Sequence, residues 1–174
     1  MTSSQPIDAG IEERFAEQRV RLADRLERGP VVLIFYRGAW CPFCNLQLRR
    51  LQQPLPEIEA LRASLLAISP QLPDGSRAIV DKNGLTFEVL SDLNSAVASA
   101  YGITFALVPT DQALFLKVGN DLGKVNGDNR WVTSAPAIFV IAADATIHHA
   151  RVDRDYTSRI AADEILSALR TITT

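Results

Sequence analysis

Two cysteines are all that this 174-residue chain carries, and they stand three apart in FYRGAWCPFCNLQL, residues 35–48. Such a pair can bind metal, clip the backbone or exchange electrons. A structural zinc site needs four ligands, and Cys41 and Cys44 supply one knuckle only. The adjacent His148 and His149 would point to opposite faces of a strand and cannot readily complete one tetrahedron. A disulfide between positions i and i+3 closes a tiny loop, so its entropic stabilisation is at the small end of the range. Redox chemistry fits better. A cysteine at the mouth of a helix meets unpaired backbone N–H groups and the positive end of the dipole, which favour thiolate. One thiolate can then attack a disulfide or a peroxide, and the second cysteine, one helical turn on, can resolve the product. Trp40, beside Cys41, would shield such a site or simply join the core.

The elements that must position this pair follow from the apolar pattern. VVLIFY, residues 31–36, is unbroken by polar residues, as expected of a strand buried on both faces. Arg37, Gly38 and Ala39 turn the chain into a helix beginning near Cys41 and carrying Leu46, Leu48 and Leu51, which Pro54 and Pro56 should kink. SLLAIS, residues 64–69, reads as a second strand and DGSRAIVDKNG as a helix. TFEVLSD then reads as a strand and LNSAVASAYGI as a helix. Upstream, residues 8–28 have a helical stripe of Ile11, Phe15, Leu22 and Leu26, stopped by Gly29 and Pro30. Residues 105–130 look irregular, with a Gly/Asn/Asp-rich loop at 118–130. APAIFVIAADATIHHARV predicts an antiparallel hairpin turning at Ala143-Asp144-Ala145, and AADEILSALRTI a closing helix. Strands alternating with helices predict one α/β domain over residues 1–174, a mixed sheet flanked by helices with an added N-terminal helix.

WCPFC after a buried strand, with Pro42 inside the motif, resembles the thioredoxin active site. The longer stretches FYRGAWCPFCNLQLRRLQ, ISPQLPD, KNGLTFEVLSD and APAIFVIAADATIHHARVDRDYTSR resemble the peroxiredoxin-like alkyl hydroperoxide reductase/thiol-specific antioxidant family of the thioredoxin-fold superfamily. The resemblance implies a thioredoxin-like sheet with the redox site at the carboxyl end of a strand. It marks Pro136, in SAPAIF, as the counterpart of the cis-proline beside the thioredoxin disulfide; an ordinary trans proline at a strand start is the alternative. The chain departs from the family at the site itself. Peroxiredoxins carry Pro-x-x-x-Thr-x-x-Cys, and an ungapped match sets Arg37 at the proline, Cys41 at the threonine and Cys44 at the peroxidatic cysteine. The family's arginine is also missing near Pro136, and Arg37 or Arg130 is available to replace it electrostatically, unless each is a plain surface residue. In a thioredoxin-like mechanism Cys41 is the nucleophile; in a peroxidase mechanism Cys44 takes the oxygen. The first cysteine of such motifs is generally the more exposed, which favours Cys41. Trp131 is placed either as a lid over the pair or as a loop anchor.

Three functions stay open: thiol-dependent reduction of peroxides, reduction of protein or small-thiol disulfides, and a redox sensor without turnover. The first would be recycled by thioredoxin or a low-molecular-weight thiol. Composition narrows the partners. Hydrophobic residues make up 47%, charged residues 22% and the net charge is −2, so no basic field is present to attract nucleic acid. No run approaches the ~18 apolar residues of a membrane span, and the polar N-terminus lacks a signal-peptide core. A cytoplasmic protein is expected, with no membrane partner and with a homodimer left open. No Gly-rich dinucleotide fingerprint or P-loop occurs, so no cofactor is expected.

Overall fold

In the computed structural model, residues 19–153, 155 and 161–173 are described. The buried run predicted before the cysteines is β1, Val31–Phe35. It lies at the centre of a five-stranded sheet, parallel to β2 (Ser64–Ser69), which is in turn parallel to β3 (Glu88–Ser91). Crossover helices supply the parallel connections: α2 (Pro42–Leu51) and α3 (Leu55–Ala60) between β1 and β2, and α4 (Pro73–Asn83) between β2 and β3. On the other side of β1 runs β6 (Ala137–Ile141), antiparallel to it, followed by β7 (Ile147–Val152) at the edge. A two-stranded ribbon, β4 (Thr104–Ala106) with β5 (Val132–Ser134), stands apart.

Lack of alternation in β1 has the expected cause. Val32, Ile34 and Tyr36 face a core shared with Leu48, Leu51, Ile58 and Ile79, and with Ile165, Leu166 and Leu169 of α8 (Ala162–Thr173). Val31, Leu33 and Phe35 face a second core with Leu22 and Leu26 of α1 (Leu22–Leu26), Val97 of α5 (Ala96–Ala100), Ile103 and Phe139. Tyr101 and Phe139 close on Phe35 with ring centroids 5.1 and 5.8 Å away, in tilted and edge-on geometry. A strand wedged between two apolar layers is rigid, and its carboxyl end holds the cysteines.

Several expectations need correction. The helix after Cys41 is not one kinked rod: α2 stops at Leu51 and α3 starts at Leu55, because Pro54 and Pro56 lack the N–H groups needed to carry a helix through. Residues 105–130 are not irregular, for they hold α6 (Pro109–Lys117) and α7 (Leu122–Asn126). Apolar periodicity missed α6 because none of its residues is buried. Inside the Gly/Asn/Asp stretch, the Asp121 carboxylate accepts from Lys124 N and Gly127 ends α7 at φ +70°. In LNSAVASAYGI a 3-10 turn (Leu93–Ser95) precedes α5, with Asn94 and Ser95 at positive φ. The buried Asp92 carboxylate starts α5 by accepting from Val97 N and Ala98 N at 2.9 and 2.8 Å. Upstream, α1 starts only at Leu22, with residues 19–21 not helical; the earlier part of the predicted helix, with Ile11 and Phe15, lies outside the described residues.

Candidate active site

Cys41 is the N-cap of α2, with extended backbone (φ −88°, ψ 112°), and Pro42 occupies the first helical position. Proline is well suited there because its missing N–H would have no intrahelical partner. The loop before it is tight: Cys41 N donates to Gly38 O at 3.1 Å, and Gly38 has φ +152°. A Cβ on Gly38 would overlap the Trp40 indole nitrogen. Cys44 follows one turn into the helix, and both thiols are free and buried. Exposure therefore does not rank the two cysteines, contrary to the expectation that the first would be the more accessible.

Cys41 has a strongly perturbed acidity. The Cys41 thiol is held down from 9.0 to about 5, chiefly by a hydrogen bond from the Cys44 thiol. Burial opposes this, while the Arg37 hydrogen bond, the Cys44 N–H and the Arg37 charge reinforce it. The Arg37 guanidinium donates from Nη2 to Cys41 Sγ at 3.3 Å and lies 5.0 Å from the Trp40 ring centroid. Trp40 meets Phe115 of α6 edge-on at 5.2 Å. Arg37, Trp40, Pro42 and Phe43 form one wall of an open groove of 280 Å³, and Leu114 and Val118 line it from the α6 side. The groove thus joins one cation to an apolar, partly aromatic lining beside the cysteine pair.

The structure brings Arg37, Trp40 and Pro42 together beside the pair. Arg130 is not: it pairs with Asp128 (Nη2 to Oδ2, 2.9 Å) and donates to Asn94 O at 2.7 Å. Pro136 does reach this end of the sheet, since the next residue, Ala137, pairs with Phe35. Its peptide bond is trans, because no described residue has a cis bond, and its carbonyl accepts from Asp153 N at 2.9 Å. Trp131 is half-buried and its carbonyl accepts from Leu107 N at 2.8 Å, which extends the β4–β5 ribbon. The ring packed on Trp40 is Phe115.

Gln71, Asn45 and Asn83 were not foreseen. Gln71, buried just after β2, accepts from Ala39 N at 2.8 Å and donates to Tyr36 Oη at 3.0 Å. Asn45 Nδ2 donates to Ala39 O at 2.7 Å and Cys41 O at 2.9 Å, and Asn83 Nδ2 of α4 donates to its Oδ1 at 3.0 Å. Tyr36 is pushed up to about 12, mainly by burial, and so stays a neutral hydroxyl. The one sequence signal was a glutamine directly after a buried strand, between two prolines in SPQLP.

The parallel β1–α2–β2 unit, the antiparallel β6–β7 pair and a Cys-x-x-Cys opening the first crossover helix define a thioredoxin-like fold with a dithiol site. The chain belongs to the AhpC/TSA family, whose sequence profile matches residues 9–150; this is a family of thiol-dependent oxidoreductases, and Cys41 and Cys44 are the candidate redox pair. Alkyl hydroperoxide reductase E of Mycobacterium tuberculosis is 36% identical over 75 residues, 42% of this chain and 49% of that protein. The chain spans about half the length of the curated relatives it matches. Among solved structures, peroxidoxin BcpB of M. tuberculosis superposes with TM-score 0.70 at 23% identity, over 89% of this chain and 87% of that one. The bacterioferritin comigratory protein of Xanthomonas campestris, studied for its alkyl peroxide reduction, gives 0.68 at 16% identity, over 90% and 87%. At those identities the structural likeness concerns the fold alone.

Among the described residues no helix is long and apolar enough to cross a membrane.

Proposed function

We propose that the protein reduces peroxides through a Cys41/Cys44 dithiol, with Cys41 as the attacking thiolate. The observation that carries this is the Arg37 guanidinium on the Cys41 sulfur, beside a groove open to solvent. A thiolate is the nucleophile in this chemistry, and a guanidinium both stabilises it and can hold the oxygen that leaves. The Cys41 thiolate attacks one peroxide oxygen; the O–O bond breaks, an S–O bond forms, and the departing alkoxide or hydroxide takes a proton. Cys41 is then a sulfenic acid. The Cys44 thiolate attacks that sulfur, the S–O bond breaks, and the hydroxide leaves, protonated, as water. Two electrons from an external thiol, thioredoxin or a low-molecular-weight thiol, reopen the Cys41–Cys44 disulfide. Family membership and the alkyl hydroperoxide reductase relative support the peroxide as oxidant.

A second use of the same centre, reduction of protein or small-thiol disulfides, is favoured by the motif itself. Cys41 stands where the family's peroxide-orienting threonine would be, as in a thioredoxin-type Trp-Cys-Pro-x-Cys. Trapping separates the roles. Peroxide-treated Cys44→Ser should carry a dimedone-reactive sulfenic acid on Cys41, read by peptide mass spectrometry, and Cys41→Ser should carry little. Label on Cys44 alone would reverse the assignment.

A further inference from the structure

Residue 39 is gripped from two sides. Its N–H donates to Gln71 Oε1 at 2.8 Å and its carbonyl accepts from Asn45 Nδ2 at 2.7 Å. A backbone N–H can only donate, so the oxygen of the Gln71 carboxamide must face Ala39 and its NH2 must face Tyr36. Tyr36 is itself a fixed post: its ring is in the core, and Tyr36 N donates to Ile68 O at 3.0 Å, prolonging the β1–β2 ladder by one residue. Gln71 is fixed from behind by the neighbouring Leu72 N, which donates to Val125 O at 3.0 Å. Two glycines leave it room. A Cβ on Gly75 would stand 2.9 Å from the Gln71 carboxamide carbon and oxygen, and one on Gly38 would stand 3.3 Å from that oxygen.

We propose that Gln71 is a positioning residue of the dithiol centre: braced on Tyr36 and bonded to the Ala39 N–H, its carboxamide holds the β1–α2 loop so that Arg37 stays on the Cys41 sulfur. A buried glutamine makes this contact only because both of its ends are satisfied, and an apolar side chain of the same size would fill the space without holding the loop. Loss of the bond frees residues 37–40 to relax, and the guanidinium, two residues before Ala39, moves with them. The inference rests on Cys41 being the thiolate of the centre. Among the described residues, the titratable groups acting on it are Arg37 from the loop and Cys44 from α2, with Tyr36 uncharged nearby.

The test is the pH profile of iodoacetamide alkylation at Cys41 in the reduced full-length protein, followed by peptide mass spectrometry. Gln71→Met should raise the midpoint by about one unit, a tenfold loss of thiolate below it, with cooperative urea unfolding retained. Tyr36→Phe should raise it by less, and the double variant no further than Gln71→Met, because the two residues act through one bond to Ala39. Gln52→Met is the control. Gln52 makes a similar two-bond contact with Thr86 at the far end of α2, at 2.8 and 2.9 Å, and its loss should leave the midpoint unchanged. If Gln71→Met does not fold, Tyr36→Phe carries the test in the same direction. A midpoint unmoved in the folded Gln71→Met, or additive shifts in the double variant, overturns the assignment. A wild-type midpoint in the ordinary thiol range overturns instead the Cys41 role on which it rests.

Discussion

Arg37 is the side chain on which the acidity of Cys41 depends most visibly after Cys44. Replacing it with Met removes a charge-assisted hydrogen bond worth about 1.5–3 kcal/mol, which corresponds to roughly one to two pKa units. The Cys41 midpoint in Arg37→Met should therefore rise towards the ordinary thiol range, as read from the pH dependence of alkylation. Arg37 was legible in the sequence because it lies four residues before Cys41 in a loop too short to carry it away. Arg130 and Pro136 were not decidable in that way. Their places depend on how β5, β6 and the loop before them fold back on the sheet, and Asp128 and Asn94 turn out to hold the first. Gln71 and Asn83 lie 30 and 42 residues beyond Cys41, and only the β1–α2–β2–α4 winding brings them to it. Asn45 lies beside Cys44 in the chain, yet its two carbonyl contacts follow from helix geometry rather than from composition.

At the level of elements, the site is the junction of β1 and α2, and its tightest constraint is Gly38. At φ +152° and against the Trp40 indole, an alanine is both strained and crowded. Gly38→Ala should cost about 1–3 kcal/mol in urea unfolding and also slow alkylation of Cys41. Gly84→Ala, at φ +59° with open space around the added methyl, should cost about 1–2 kcal/mol and leave Cys41 unchanged. Local chemistry made most of these elements readable. The unbroken apolar run, Pro42 at the first helical position and Gly29-Pro30 all act within a few residues. Helix α6 escaped because Leu114, Leu116 and Val118 are more than half exposed, leaving no buried stripe to read. That exposure is what supplies an apolar wall to the groove.

Over the whole molecule, a thiol whose folded pKa lies below its unfolded value links acidity to stability. Between about pH 5 and 9 the unfolded chain binds the Cys41 proton and the folded protein does not, so the contribution is complete above the upper limit and is lost as pH falls through about 5. The stability difference between the reduced protein and Cys41→Ser, measured by urea unfolding, should therefore shrink from pH 9 to pH 5; a constant difference would contradict a depressed Cys41. The α/β class was readable because both faces of β1 had to be covered, which demands helices on each side; the strand order was not, because it depends on pairings between segments far apart in the chain. The ribbon β4–β5 was less readable, being three residues per strand. Peroxide reduction at Cys41 is tested by stopped-flow tryptophan fluorescence of the fully reduced protein mixed with hydrogen peroxide, with each cysteine-to-serine variant and a model disulfide alongside. Oxidation should be far faster than a free thiolate achieves, lost in Cys41→Ser and without disulfide closure in Cys44→Ser. A rate no better than that of a free thiol, with rapid exchange on the model disulfide, would contradict a peroxide-reducing centre.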